Sequence, residues 1–201
     1  MSLAYDVRAN LHLLVDLLNS APGVVTSEDA LATPAQLTAF VTELGFTGSL
    51  VATPFDVAAV GALRDRFRIA LDDAVEPVVA AINRTFDEIR AFPRLVSHGD
   101  WSWHLHATGG AAPLGERMAS DIVFVLTDLI RFGDLSRLRE CAASDCTAAL
   151  ADLTKNRSKR FCDARNCANR THVAAYRARR EQGPARGGTA AAPESAGPPQ
   201  Q

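Results

Sequence analysis

The chain has 201 residues, of which 21 are Lys or Arg and 23 are Asp or Glu, and 47% of it is hydrophobic. That length suits one mid-sized domain plus a small module, and the composition is that of a globular chain rather than a fibrous or disordered one. The net charge of −2 singles out no partner, so any polyanion-binding function must come from how the charge is distributed. The apolar run Leu11–Leu18 is interrupted by Asp16 and has neither a basic flank nor a small-residue cleavage site, so it does not read as a signal peptide. Ile122–Ile130 is too short to cross a bilayer and contains Asp128. A cytoplasmic chain with no membrane partner is expected. In that reducing compartment, closely spaced cysteines are metal ligands more often than disulfides.

Residues 8–19 place Leu11, Leu14, Val15 and Leu18 on one helical face. Thr33-Pro34-Ala35-Gln36 is a helix start: Thr33 caps, Pro34 suits the first helical position and Gln36 completes a capping box. Leu37, Phe40, Val41 and Leu44 form the stripe behind it, and Gly45 is the stop. Thr53-Pro54 repeats the start signal. Val60, Leu63, Phe67, Ala70 and Leu71 then face inward, with Arg64, Asp65 and Arg68 expected largely outward. Another helix follows Pro77 and carries Ile82, Phe86 and Ile89. None of these helices is stable alone in water, so they need a shared core.

Residues 95–107 read as two short strands with His98-Gly99-Asp100 as the turn. Trp101, Trp103 and Leu105 alternate with Ser102, His104 and His106, and the tryptophans are expected to pack inward or to line an effector pocket. His98, His104 and His106 are candidate ligands for a metal or a small molecule, or else the solvent face of the hairpin. A long helix, about 115–132, carries Met118, Ile122, Val125, Leu126 and Leu129 and is expected at the centre of the core. The tail after Gln182 has almost no large apolar residues and is expected to be disordered.

The four cysteines are Cys141, Cys146, Cys162 and Cys167, spaced as C-x4-C, fifteen residues, C-x4-C. Two close pairs separated by a short loop are a standard arrangement for one tetrahedral zinc ion. Four thiolates leave no open coordination position, so such a site is structural rather than catalytic. The stretch 137–180 is too poor in large apolar residues to fold on burial alone, and structural zinc supplies the deficit. A redox switch at the same cysteines is the alternative reading. His172 could replace one thiolate, but four cysteines already complete the site.

Charge is segregated onto the same stretch. Residues 137–180 hold eleven basic and four acidic residues, a net +7, and the rest of the chain is −9. A basic module beside an acidic domain points to a polyanion partner. Lys155, Arg157, Lys159 and Arg160 lie in the loop between the cysteine pairs. Asn169, Arg170, Arg177 and Arg180 lie on a helix expected to begin near Cys167. Both groups are candidates for phosphate and base contact. RNA is the less favoured polyanion, because no aromatic stacking platform accompanies the charges. No nucleophile motif, glycine-rich phosphate loop or supported carboxylate pair is present, so no enzymatic activity is expected.

The order Arg137-Leu138-Arg139-Glu140-Cys141, Asp145-Cys146, Asp152, Lys155 to Cys162 and Cys167-Ala168-Asn169-Arg170 resembles the CGNR zinc-finger family, with Ala168 where the signature has glycine. Tyr176 to Arg180 looks like that family's basic helix, and the region before the finger looks like the ABATE domain that accompanies it. Asn19 resembles a polar position near the end of that domain's first helix. The resemblance implies a bacterial transcription regulator responsive to stress.

The expected fold is mainly α with a short β-hairpin. It comprises an ABATE-like helical domain (1–136), a small treble-clef or ribbon-like CGNR zinc module (137–181) and a tail (182–201). Its expected cofactor is one structural Zn2+. Its expected partner is double-stranded DNA in the nucleoid, with a small-molecule effector or homodimerisation assigned to the first domain. A zinc-stabilised protein-interaction adaptor is the alternative.

Overall fold

A computed structural model describes residues 5–98 and 101–181. The chain divides into two compact units, 1–168 and 169–201. The tail from residue 182 and the turn residues Gly99 and Asp100 lie outside the described residues.

In the first unit, α1 (Tyr5–Asn19), α2 (Pro34–Glu43), α3 (Pro54–Phe67), α4 (Val75–Glu88) and α5 (Leu114–Arg131) build the helical part. The start signals at both Thr-Pro pairs form full capping boxes: Thr33 with Gln36 and Thr53 with Asp56 each exchange side-chain and main-chain hydrogen bonds. Gly45 and Gly133 take positive φ just past their helices, as glycine stops do. Pro77 sits in the first turn of α4, where its missing N–H has no helical acceptor to lose.

α5 is the central helix and packs against α1, α3 and α4. Met118, Ile122, Leu126 and Leu129 are fully buried there, together with Leu11, Leu14, Leu17 and Leu18 of α1. α3 and α5 approach so closely at Gly115 that a Cβ there would lie 2.8 Å from that of Ala59. Asp56 joins the two helices. While capping α3, it also accepts the main-chain N–H of Gly115 at 3.1 Å, in the first turn of α5, which has no side-chain cap at its preceding Pro113.

Two expectations are corrected. Arg64 does not face outward: it is 8% exposed and donates to both oxygens of Asp29, at 2.9 and 2.6 Å, and to Ser20 Oγ at 3.2 Å. It lies four residues after Val60 and three before Phe67, so the helical period puts it on their face. The segment between α1 and α2 folds over it and supplies the carboxylate.

The hairpin β1 (Arg94–His98) and β2 (Trp101–His106) is antiparallel, as expected, with a bulge between Val96 and His98, but its faces are reversed. Trp103 is 70% exposed and Leu105 is exposed beside it, whereas His104 is buried. Strand alternation fixes that Trp103 and His104 point oppositely, and packing on α5 selects the histidine side. The side chains of His98 and Trp101 are outside the described residues.

A second antiparallel hairpin, β3 (Leu138–Glu140) with β4 (Ala149–Ala151), follows a short 3-10 turn at Leu135–Arg137. It does not stand apart from the helices. Leu138, Ala149 and Ala151 belong to the helical core, while Leu150 belongs to a smaller cluster with the cysteines. Asn19, the last residue of α1, treats β4 as a neighbouring strand would. Its Nδ2 donates to Ala149 O at 3.0 Å, and its Oδ1 accepts Ala149 N–H at 2.7 Å. The second unit, within the described residues, is the continuation of α6 (Cys167–Glu181).

Ala149 is almost fully buried, so removing its partner strands one donor and one acceptor, each costing about 1–3 kcal/mol. Asn19→Ala is therefore expected to destabilise the chain by about 2–4 kcal/mol in urea unfolding. A loss below about 0.5 kcal/mol would remove this bridge from the account.

Candidate metal centre and basic loop

The first cysteine pair sits in the loop of the second hairpin. Cys141 follows β3 directly, and its N–H donates to Ala148 O at 2.9 Å, extending the ladder; Cys146 closes a tight turn onto Ala143 O at 3.1 Å. Cys162 ends the basic loop, and Cys167 opens α6 after a left-handed Asn166. Hairpin, loop and helix start thus each deliver ligands, as a treble-clef finger requires.

All four thiols are buried and none is in a disulfide. Their Sγ atoms lie within 4.8 Å of one another, with 3.7 Å from Cys162 to both Cys146 and Cys167. Zinc bonded to sulfur at about 2.3 Å in a tetrahedron requires S–S edges of about 3.8 Å, so the residues present fit that ion. The chemistry of the donors agrees. Burial pushes the Cys162 thiol up to about 12 and raises Cys146 as well. Four thiolates therefore coexist here only with a cation to balance them. Main-chain N–H groups already point at the sulfurs: Cys162 N–H reaches Cys141 Sγ at 3.4 Å, Ala148 serves Cys146 and Arg165 serves Cys162. The chain holds one structural zinc in this cage, with no position left for a substrate.

The cage has an apolar wall of Val24, Ala143, Ala148 and Leu150, with Ala21 and Phe161 packed against it. Ala21 and Val24 come from the segment after α1. Arg165 ties the far side down by donating to the carbonyls of Val24 and Asp145, at 3.5 and 3.3 Å. Among the described residues only these four cysteines bring three or more ligand atoms together, so His172 is not part of the centre. Ala168 lies within α6 and is not among the residues with positive φ, so the backbone there needs no glycine.

The basic loop is organised by the fully buried carboxylate of Asp152, one of the residues that carry the resemblance to the CGNR finger. Asp152 Oδ1 accepts from the N–H and hydroxyl of Thr154, at 3.0 and 2.6 Å. Its Oδ2 accepts from Lys159 N–H at 2.8 Å and from Arg139. Arg139 also donates to the carbonyls of Arg157 and Lys159, and Arg137 to those of Asp152 and Thr154. The legible signal was Asp152-Leu153-Thr154, an Asx-turn pattern in which aspartate binds the main chain two residues on.

Of the loop cations, Lys155 and Arg160 are exposed, and Arg160 stacks 5.8 Å from the Phe161 ring centre. Arg157 is held in a left-handed conformation and pairs with Asp134, and Lys159 pairs with Asp163 at 2.6 Å. In the second unit, Asn169, Arg170, Arg177 and Arg180 lie along α6, with Arg180 5.9 Å from the Tyr176 ring. At helical spacing Arg170 and Arg177 fall about 20° apart and Arg180 about 60° further round, so the three share one side. His104 and His106 are brought together elsewhere, Nε2 to Nε2 at 3.0 Å.

Burial alone would raise Asp152, but its bonds to Thr154 and Lys159 and the charge of Arg139 outweigh it and hold the carboxyl below its usual range. A lowered folded-state value stabilises the fold above the unfolded carboxyl's titration and is lost as pH falls through the folded one. Asp152→Asn is thus expected to cost about 2–4 kcal/mol at pH 7. The gap to the parent should close on acidification below about pH 4. Equal stability of the two chains at pH 7 would show the carboxylate to be dispensable.

Comparison with known families accords with this geometry. The CGNR zinc finger matches residues 137–180, the stretch that contains the cysteine cage, the Asp152 loop and α6. The ABATE family, described as "Putative stress-induced transcription regulator", matches residues 11–129, which are the five helices and the first hairpin. No curated protein matches the chain. The helical region covered by the second match makes up more than half of the sequence, and the chain belongs to the ABATE family, carrying a CGNR zinc finger at its C-terminal side.

Proposed function

We propose that the chain is a transcription regulator that binds duplex DNA through its zinc finger. The observation that carries this is the concentration of net charge +7 into residues 137–180, within a chain of net charge −2. The loop cations are borne on a framework organised by the cysteine cage and by Asp152. Charge fixed in space costs little ordering entropy on binding, so a phosphate backbone meets it prepaid. Lys155 and Arg160 are the loop cations available to phosphates directly. Arg157 and Lys159 first exchange Asp134 and Asp163 for phosphate. Arg170, Arg177 and Arg180, with Asn169, supply the helical side that a groove can admit.

The N-terminal region, in this reading, senses a small-molecule effector or mediates homodimerisation. The site of action is the bacterial nucleoid in the cytoplasm, and no catalytic step is involved. Family membership supports the regulatory part. Among the described residues no helix is long and apolar enough to cross a membrane.

Binding to a labelled 30-base-pair duplex, followed by fluorescence anisotropy over a salt series, tests this. The logarithm of affinity should fall linearly with that of salt. The slope should flatten by about one for each of Lys155→Ala, Arg160→Ala, Arg170→Ala and Arg177→Ala, with zinc content unchanged. Binding indifferent to salt, or unaltered by all four replacements, contradicts the proposal. Preference for an acidic protein surface over DNA would favour an adaptor instead.

A further inference from the structure

The first unit contains a cavity of about 310 Å³, at the small end of the roughly 300–1,000 Å³ range of ligand pockets. Its walls come from α1, the segment after α2, β2 and α5. One sector is apolar, made by Leu13, Leu44 and Phe46; the other is polar, with the buried His104 among its residues. The reversed face of the first hairpin is thereby explained: the histidine side closes the polar sector of this cavity.

The charges on the wall decide what the cavity can hold. Arg117 is 8% exposed, and its two terminal nitrogens are committed to main-chain carbonyls, Nη1 to Thr47 O at 2.5 Å and Nη2 to Ser49 O. Gly48 lies between them at φ +83°, and a Cβ there would come within 2.7 Å of Nη1. The segment is therefore wrapped around the guanidinium, which braces it through Nη1 and Nη2. Asp121, one turn further along α5, also lines the cavity, and its carboxyl has no hydrogen-bond donor among the described residues. Asp6 adds a second carboxyl from α1.

The two imidazoles contact each other at 3.0 Å, Nε2 to Nε2, so one ring donates and the other accepts. Among the described residues the histidines and Asp121 do not converge as a metal-ligand set.

We propose that this cavity binds a small organic cation, an ammonium group on an apolar body, with Asp121 as its counter-ion and Leu13, Leu44 and Phe46 against its hydrocarbon part. This deepens the effector-sensing part of the function proposed above. Arg117 faces the Asp121 carboxyl electrostatically but is not hydrogen-bonded to it, and an ammonium provides the carboxyl with a cation that also brings its own hydrogen bonds. Burial pushes Asp121 up to about 7, against the lowering influence of Arg117. A proton and the ligand therefore compete for the same carboxyl. Arg117, Asp6, His104 and His106 are the other titratable groups lining the cavity.

The test is amide NMR of the full zinc-loaded chain, without DNA, titrated with benzylammonium, and with benzoate and benzyl alcohol as controls. Benzylammonium alone should give saturable shifts in residues 44–48, 104–108 and 117–121. Its affinity should weaken by roughly tenfold or more from pH 8 to pH 5.5. Asp121→Asn should abolish binding and Asp121→Glu should retain part of it. The Asn variant is near-isosteric and removes a carboxyl that is hard to ionise. Its melting temperature at pH 8 should equal or exceed the parent's, which separates lost binding from lost folding. Absence of saturable benzylammonium binding, equal binding of benzoate, or full binding by the Asn variant would each overturn the assignment. Because DNA is absent, none of these results bears on the DNA-binding reading, and failure of DNA binding leaves this one standing.

Discussion

Four buried sulfurs within 4.8 Å of one another are the constraint on which the C-terminal half of the first unit depends. Burial raises the Cys146 and Cys162 thiols, and a cation that takes their thiolates makes the proximity of the four sulfurs favourable. Zinc converts an unfavourable crowd of thiols into a cross-link that ties a hairpin loop, a basic loop and the start of a helix at one point. Few large apolar side chains surround it, so apolar burial contributes little there, and the polar network of Asp152, Arg137 and Arg139 supplements the metal between hairpin and basic loop.

The cross-link is not confined to the finger. β4 is only three residues long, yet it serves two cores. Ala149 and Ala151 turn toward the helices and Leu150 toward the cysteines, as strand alternation requires. Asn19 completes the connection by hydrogen-bonding Ala149 through both of its amide atoms. Arg68, just after α3, adds a bond to Thr147 O at 2.7 Å in the same hairpin loop. Stability of the cage and stability of the helical region are therefore linked thermodynamically. Loss of the metal should be felt in α1 as well as in the finger.

Much of this was legible from the sequence, for identifiable reasons. Local chemistry is written in adjacent residues, so the capping boxes at Thr33 and Thr53, the glycine stops and the cysteine spacing were readable directly. What escaped was determined by distant partners. Arg64 was placed outside because charge outweighed periodicity, and nothing local announced that Asp29 would cover it. Alternation along β2 was clear, but which face is buried depends on what α5 presents, and α5 presents Arg117, Ser120 and Asp121 to the cavity. Arg117, Asp121 and Asp6 come from two helices far apart in sequence and converge only on folding. The buried role of Asp152 was half visible, through its Asx-turn spacing to Thr154, while its bonds to Arg139 and Lys159 needed the hairpin to form.

X-ray absorption at the zinc edge of the purified chain, with metal analysis on the same sample, tests the central claim most directly. The account predicts one zinc per chain with four sulfur neighbours at about 2.3 Å and no nitrogen or oxygen in the inner shell. A mixed sulfur and nitrogen shell, or a folded chain lacking zinc whose melting temperature is unchanged by a chelator, would contradict it.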